Sequence, residues 1–457
     1  MKQSSVIQNK TLFACVLCLI ISFTQNARAV EIQEVISPGG VKAWLLEDRM
    51  LPITSVSFSI SAGSSADPLK KSGLSNMVSL LLDGGAGKFN AEEFRRILED
   101  RSIEMSFSVS KDYFSGNLKT LNRNRIKAFE MLNLAITKPR FDKVEIDRAR
   151  SRILAEIASK RKDPKEIAEE ALWSINFPGH PYARKTIGSN KSVGAITKHD
   201  LHDYVEKRFV RSNILIGVAG DITPSDLASL LDSTFPQPSN LEGKLFVETT
   251  FPSEAGGIYV YQLRQSQSNI LFSHIGLPRG HPDYYGAYII NHILGGGSFT
   301  SRLYKEVREK RGLAYSVYSY LLPMKYSALW LGGASTDNRT ASQTIQIIKN
   351  EWDRIHKAQI TMEELSLAQD NITGSLALRF DSTSSISNIL VAIQRQGLGI
   401  NYINERNKKF KSVTLKDLRR IAKKWIDPDS LKFIVVGEPT GIKKGKLLTP
   451  KKFFLNF

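Results

Sequence analysis

Arg308 and Tyr315, separated by six residues that include Gly312, are the pair whose types and spacing could do chemistry. Residues 300–310 have helical periodicity. Gly312 can take the left-handed conformation that ends a helix, and Tyr315 then opens a strand. A side chain from the last helical turn and one from the first strand residue converge across such a corner. A guanidinium and a phenol hydroxyl offer fixed donors to a peptide carbonyl. The plainer alternative makes Arg308 one of several solvent-facing bases, with Lys305, Lys310 and Arg311, and packs Tyr315 on its sheet.

Other candidates carry less. Gly295, Gly296 and Gly297 lack the lysine and Ser/Thr of a phosphate-binding loop, so they read as a substrate-contacting loop or a plain turn. No histidine precedes His180, so the first half contains no H-x-x-E-H in any register. His199 and His202 share a helix face at i, i+3 but have no adjacent glutamate base. They read as solvent-facing, and His180, in Gly179-His-Pro-Tyr182, as structural. We find no serine or cysteine triad.

The elements that must position these residues come twice. Thr197 and Thr414 are natural helix caps, each with an aspartate three residues on, and each helix leads to a β-rich run ending at Gly220 or Gly437. Leu81–Gly85 corresponds to Ile293–Gly297, Ile97–Phe107 to Val307–Val317, and Glu145–Ile157 to Glu364–Leu376. In the last pair Ala149 and Ile153 match Ala368 and Ile372. Alternating strands open near Val56 and Ile270. Strands and helices in blocks predict an α+β chain of two tandem homologous α/β-sandwich domains, each a mixed or antiparallel sheet flanked by helices. The expected boundaries are a 30–235 domain, a 236–252 linker and a 253–457 domain.

This order of motifs resembles the pitrilysin/insulinase family of inverted-zincin peptidases over nearly the whole chain. The likeness is nearest to subunits of about this size that pair up, such as those of mitochondrial processing peptidase. In that family H-x-x-E-H on the first helix holds zinc and activates water, with a glutamate on a later helix as third ligand. Here Asn76 and Leu80 stand at the histidine positions, Ser79 at the glutamate, and Glu156 at the third ligand. One oxygen ligand out of three does not hold zinc. Arg308, Tyr315 and the segment Gly312-Leu-Ala-Tyr-Ser-Val317 are similar to the family's arginine/tyrosine signature. The resemblance implies that this pair, with the glycines 295–297, binds substrate backbone and stabilises the oxyanion. It further implies half of a clam-shell heterodimer, with zinc in a homologous H-x-x-E-H partner and peptides or small unfolded proteins as substrate. The alternative is a catalytically inactive peptide-binding or scaffold protein of the same fold.

The ends and the composition bound the setting. Residues 1–29 read as a signal peptide: Lys2 and Lys10, an apolar run from Leu12 to Phe23, and Ala27-Arg-Ala29. Both cysteines, Cys15 and Cys18, lie inside it, so the mature chain would have neither disulfide nor thiolate metal site. Export with a cysteine-free body suits a bacterial periplasm. The formal charge of +18 falls to +15 without Lys2, Lys10 and Arg28, with a cluster at Lys443, Lys444, Lys446, Lys451 and Lys452. Without a nucleic-acid module in an exported chain, nucleic acid is not expected as a partner. No second apolar segment is long enough to cross a membrane.

Overall fold

A computed structural model describes residues 31–235, 247–442 and 445–448. The signal-peptide reading with its two cysteines, the first part of the linker, and Lys443, Lys444, Lys451 and Lys452 lie outside the described residues.

The first half runs β1 (Gln33–Ile36), β2 (Lys42–Glu47), β3 (Ile53–Ile60), α1 (Leu74–Ser79), α2 (Ala91–Asp100), β4 (Glu104–Val109) and β5 (Phe114–Leu121). It continues α3 (Arg125–Thr137), α4 (Lys143–Lys160), α5 (Pro164–Asn176), α6 (Asn190–Gly194), α7 (Lys198–Arg208), β6 (Ile214–Gly220) and α8 (Pro224–Thr234). The second runs β7 (Gly257–Gln262), β8 (Gln267–Ile275), α9 (Tyr284–Asn291), β9 (Ala314–Pro323), β10 (Ala328–Asp337) and α10 (Ala341–His356). There follow α11 (Met362–Gly374), α12 (Thr383–Arg395), α13 (Tyr402–Lys411), α14 (Leu415–Trp425), β11 (Lys432–Gly437) and β12 (Gly445–Leu447).

Each half builds a six-stranded mixed sheet, ordered β1-β2-β6-β3-β5-β4 and β12-β7-β11-β8-β10-β9. β4 and β9 are equivalent edges. The α+β, two-domain reading is borne out. Thr197 and Thr414 both close capping boxes, with Asp200 and Asp417. Ala149, Ile153, Ala368 and Ile372 are all buried, each inside the core of its own half.

The halves exchange a helix. α5 leaves the first half and lies on the second sheet, where Ile167, Ala171 and Leu172 pack with Leu329, Leu331, Ile434 and Val436. Asn176 Nδ2 donates to Ser273 Oγ at 2.9 Å beneath it. α12 leaves the second half and lies on β6 and β3. Its contact is partly apolar, Ile386 and Leu390 on Ala219, and partly hydroxylic. Ser57 meets Ser387 at 2.8 Å, Ser55 meets Thr383 at 2.7 Å, and Arg395 donates to Ser59 at 2.7 Å. Each sheet is therefore completed by a helix from the neighbouring half.

Candidate functional site

The corner forms as its residues dictate. Gly312 sits at φ +61, the left-handed position. Its N–H donates to the Arg308 carbonyl at 2.9 Å, and Leu313 N–H to the Val307 carbonyl at 2.9 Å, which ends the helix and starts β9. The helix differs from the simple one expected over 300–310. Residues 298–300 form a separate tight turn, and Tyr304–Glu309 are wound as a wide π-type turn, with Lys310 N–H reaching back to the Lys305 carbonyl at 2.9 Å. Such wide turns are costly and gather at functional positions.

Arg308 is brought onto Tyr315. Its guanidinium carbon lies 4.7 Å from the Tyr315 ring centre and 5.0 Å from that of Tyr304, so two phenol faces sandwich it. Tyr304 was not singled out from the sequence, although its place four residues before Arg308 puts it on the same helical face. Phe299 meets Tyr304 edge-on at 5.0 Å, and Tyr315 is 83% exposed. Two of the neighbouring bases are spent: Lys310 and Arg311 each hold Glu306 at 2.6 Å. Among the described residues, neither the Arg308 guanidinium nor the Tyr315 hydroxyl makes a hydrogen bond or ion pair. The site thus presents free donors, positioned by aromatic faces, beside an exposed edge strand.

Gly295, Gly296 and Gly297 are not a free loop. Gly297 N–H donates to the His292 carbonyl at 2.8 Å, in the wide turn His292–Gly296 that continues α9. Gly295 is pressed onto β9, where a Cβ would stand 2.5 Å from Ser319 Oγ. The glycines let this turn approach the strand that carries Tyr315.

The zinc positions lie in the first half. Asn76 and Glu156 line one cavity of about 240 Å³, together with Lys160, Glu166, Glu169 and Glu170. Ser79 turns away, its hydroxyl donating to the Asn76 carbonyl at 2.8 Å, and Leu80 merely caps α1. Glu156 is 3.3 Å from the Lys160 ammonium, which also meets Glu166 at 3.2 Å. An amide, an apolar side chain and a carboxylate already paired with a lysine do not fit a zinc ion. Among the described residues no group of three His, Cys, Asp or Glu side chains is placed to hold a metal. Neither Arg308 nor Tyr315 lines this cavity.

The remaining histidines need one correction. His199 is exposed, but His202 is half-buried, its ring edge-on to Phe141 at 5.0 Å, because α7 turns that face to the core. His180 is structural, its Nδ1 accepting Tyr182 N–H at 3.1 Å and its other nitrogen meeting the Glu248 carbonyl at 3.0 Å.

α1 is anchored by Asp67. Its buried carboxylate accepts Gly73 N–H at 3.0 Å, Ser75 N–H at 3.1 Å and the Ser75 hydroxyl at 3.1 Å. Burial outweighs these bonds and pushes its pKa up to about 7. The folded state thus holds a proton that the unfolded chain, titrating near 3.8, releases. The stabilisation is complete below about pH 4 and is lost as pH rises through 7. Urea unfolding of wild type and Asp67→Asn at pH 5 and pH 8 checks this. The wild type's stability relative to the variant should fall by on the order of 2 kcal/mol between the two pH values.

Two homologous six-stranded sheets flanked by helices, with the Asn76–Leu80 helix in the first half and the Arg308/Tyr315 corner in the second, define a two-domain peptidase-like scaffold. Two family models match the chain: "Insulinase (Peptidase family M16)" over residues 44–190 and "Peptidase M16 inactive domain" over residues 195–372. The chain belongs to this pitrilysin/insulinase family. It is similar to the non-peptidase homolog YmxG of Helicobacter pylori, 23% identical over 433 residues, covering 93% of this chain and 98% of that protein. It is also similar to an uncharacterized zinc protease of Streptomyces coelicolor, 23% identical over 399 residues, covering 84% and 85%. Among solved structures, the peptidase M16 inactive domain from Pseudomonas fluorescens superposes with a TM-score of 0.82 at 25% identity, over 91% of this chain and all of that one. A chain of complex III2 from Candida albicans, at TM-score 0.73 and 17% identity over 90% and 96%, shares the fold alone. No helix among the described residues is long and apolar enough to cross a membrane.

Proposed function

We propose that this chain is the substrate-binding subunit of a two-chain, exported metallopeptidase whose zinc is held by a homologous H-x-x-E-H partner. One observation carries the reading: Arg308 and Tyr315 keep every donor unspent, whereas Lys310 and Arg311 beside them are both paired with Glu306. A guanidinium fork and a phenol hydroxyl match the two lone pairs of a peptide carbonyl, and they favour it most as negative charge develops on that oxygen. The chain's own part is to bind and orient the backbone of a peptide or small unfolded protein and to stabilise the oxyanion. The partner supplies the attacking water, in a clam-shell chamber closed by both chains. The signal-peptide reading of residues 1–29 supports a bacterial periplasm as the setting of the complex.

Affinity purification of the tagged mature chain from its native extract, followed by a peptide-cleavage assay, tests this. A homologous chain of similar size carrying H-x-x-E-H should co-purify, and cleavage should stop with a chelator. The separated chain should cleave nothing. Cleavage by the purified chain alone, or a chain that elutes without such a partner, would overturn the proposal in favour of a scaffold or simple peptide binder.

A further inference from the structure

Beside the arginine-bearing turn lies a second, half-open cavity of about 250 Å³, lined by His292, Thr300, Arg302 and Lys305 and by Glu363 and Glu364 of α11. Arg302 is more than nine-tenths buried, with 8% of its side chain exposed. Its Nε and Nη2 hold Glu364 at 2.7 and 2.8 Å, and Nη2 also reaches the Gln359 carbonyl. Its Nη1 makes no hydrogen bond, the nearest carboxylate oxygen being that of Glu351 at 3.8 Å. In the same lining, His292 Nε2 is buried without a partner. Burial holds this imidazole below its ordinary range, so it sits there neutral.

Leaving a guanidinium N–H pair and an imidazole nitrogen buried and unsatisfied is unfavourable, because each forfeits the hydrogen bonds it makes in water. Two such orphans on one cavity wall are what a ligand would satisfy. The charges around them decide which ligand. Glu364 is taken by Arg302, Glu351 by Arg354 at 2.8 Å, and Glu306 by Lys310 and Arg311. Among the described residues that leaves Lys305 and Glu363 without an ion pair, one cation and one anion. A net-neutral rim gives a dianion such as phosphate little advantage, whereas a molecule carrying both signs is matched at both ends.

We propose that this cavity binds a small carboxylate, and specifically a free α-amino acid. Its carboxylate accepts from Arg302 Nη1, His292 Nε2 and Lys305, and its ammonium faces Glu363. The site is separate from the peptide-binding corner, although the wide turn at 304–309 borders both.

Calorimetric titration of the mature chain alone tests it, since no peptidase partner is needed. The probes are L-alanine, acetate, glycinamide and phosphate, at pH 7. Saturable binding of L-alanine is expected, with acetate and glycinamide each about tenfold weaker or more, because each lacks one of the two charges. Glu363→Gln should weaken L-alanine about tenfold and leave acetate unchanged, whereas Lys305→Ala should weaken both. Both side chains are exposed, so neither variant threatens folding. Acetate binding as tightly as L-alanine overturns the amino-acid assignment. The absence of any saturable heat, or binding indifferent to both substitutions, overturns the site itself and leaves ordered water as its occupant.

Discussion

Arg308→Ala in the reconstituted two-chain complex should lower kcat/KM by about 10²–10³-fold, the range found when one oxyanion donor is removed. The loss should fall mainly on kcat, because the donors matter most where charge develops rather than in the resting complex. Arg308→Lys should recover only part of it. A lysine restores the charge but not the two-pronged fork, and it stacks less well between Tyr304 and Tyr315. Tyr315→Phe keeps the ring that positions the guanidinium and loses one hydroxyl, so about a tenfold loss is expected. Lys310→Ala removes a neighbouring cation that is already committed to Glu306, and should leave turnover unchanged. Steady-state kinetics on complexes shown intact by size-exclusion chromatography separates these outcomes. If Arg308→Ala raises KM alone, the arginine binds substrate without acting on the oxyanion. If Arg308→Ala and Lys310→Ala behave alike, the corner has no role in turnover.

The parts of this site that sequence makes legible are those written in neighbouring residues. The Arg308–Gly312–Tyr315 corner needs one left-handed residue and a strand start, and both are encoded within eight positions. The capping boxes at Thr197 and Thr414 and the emptied motif at Asn76, Ser79 and Leu80 are local in the same way. What escaped was set by distant partners. In β3 the serines 55, 57 and 59 alternate with Val56, Phe58 and Ile60, a pattern that ordinarily means one wet face. All three serines are buried, because α12 from the other half covers them and answers with its own hydroxyls. Likewise the apolar residues of α5 predict an amphipathic helix without saying which sheet it covers. The wide turns at 292–296 and 304–309 left no local trace either. Residues 304–309 have the composition of an ordinary helix, the glycines that close 292–296 read only as a loop or turn, and the packing of Gly295 against Ser319 is a long-range contact.

The repeated strand-end glycines give the sharpest stability contrast. Gly220 ends β6 at φ +126, a conformation rarely adopted by any residue with a side chain. A Cβ there would stand 2.0 Å from the Ile53 carbonyl oxygen. That oxygen cannot move aside, because it accepts Asp221 N–H at 2.9 Å while the neighbouring Thr54 pairs with Gly220 across the sheet. Gly220→Ala must therefore break the β3–β6 ladder near the helix-exchange face, and we expect a loss of about 4 kcal/mol or more, enough to leave a marginal domain unfolded. Gly437, its counterpart at φ +153, would bring the added Cβ to 2.8 Å from Ser268 Oγ and 2.9 Å from the Gln267 carbonyl oxygen, a milder approach than that at Gly220, so its alanine variant should suffer less. Gly312 provides the lower bound. At φ +61 with nothing within 4 Å, alanine there costs only the left-handed penalty of about 1–2 kcal/mol. Urea unfolding of the three variants should rank them in that order. A Gly220→Ala protein as stable as Gly312→Ala would mean that the strand end can shift as a unit, and that the glycine shared by the two repeats is not held in place by this contact.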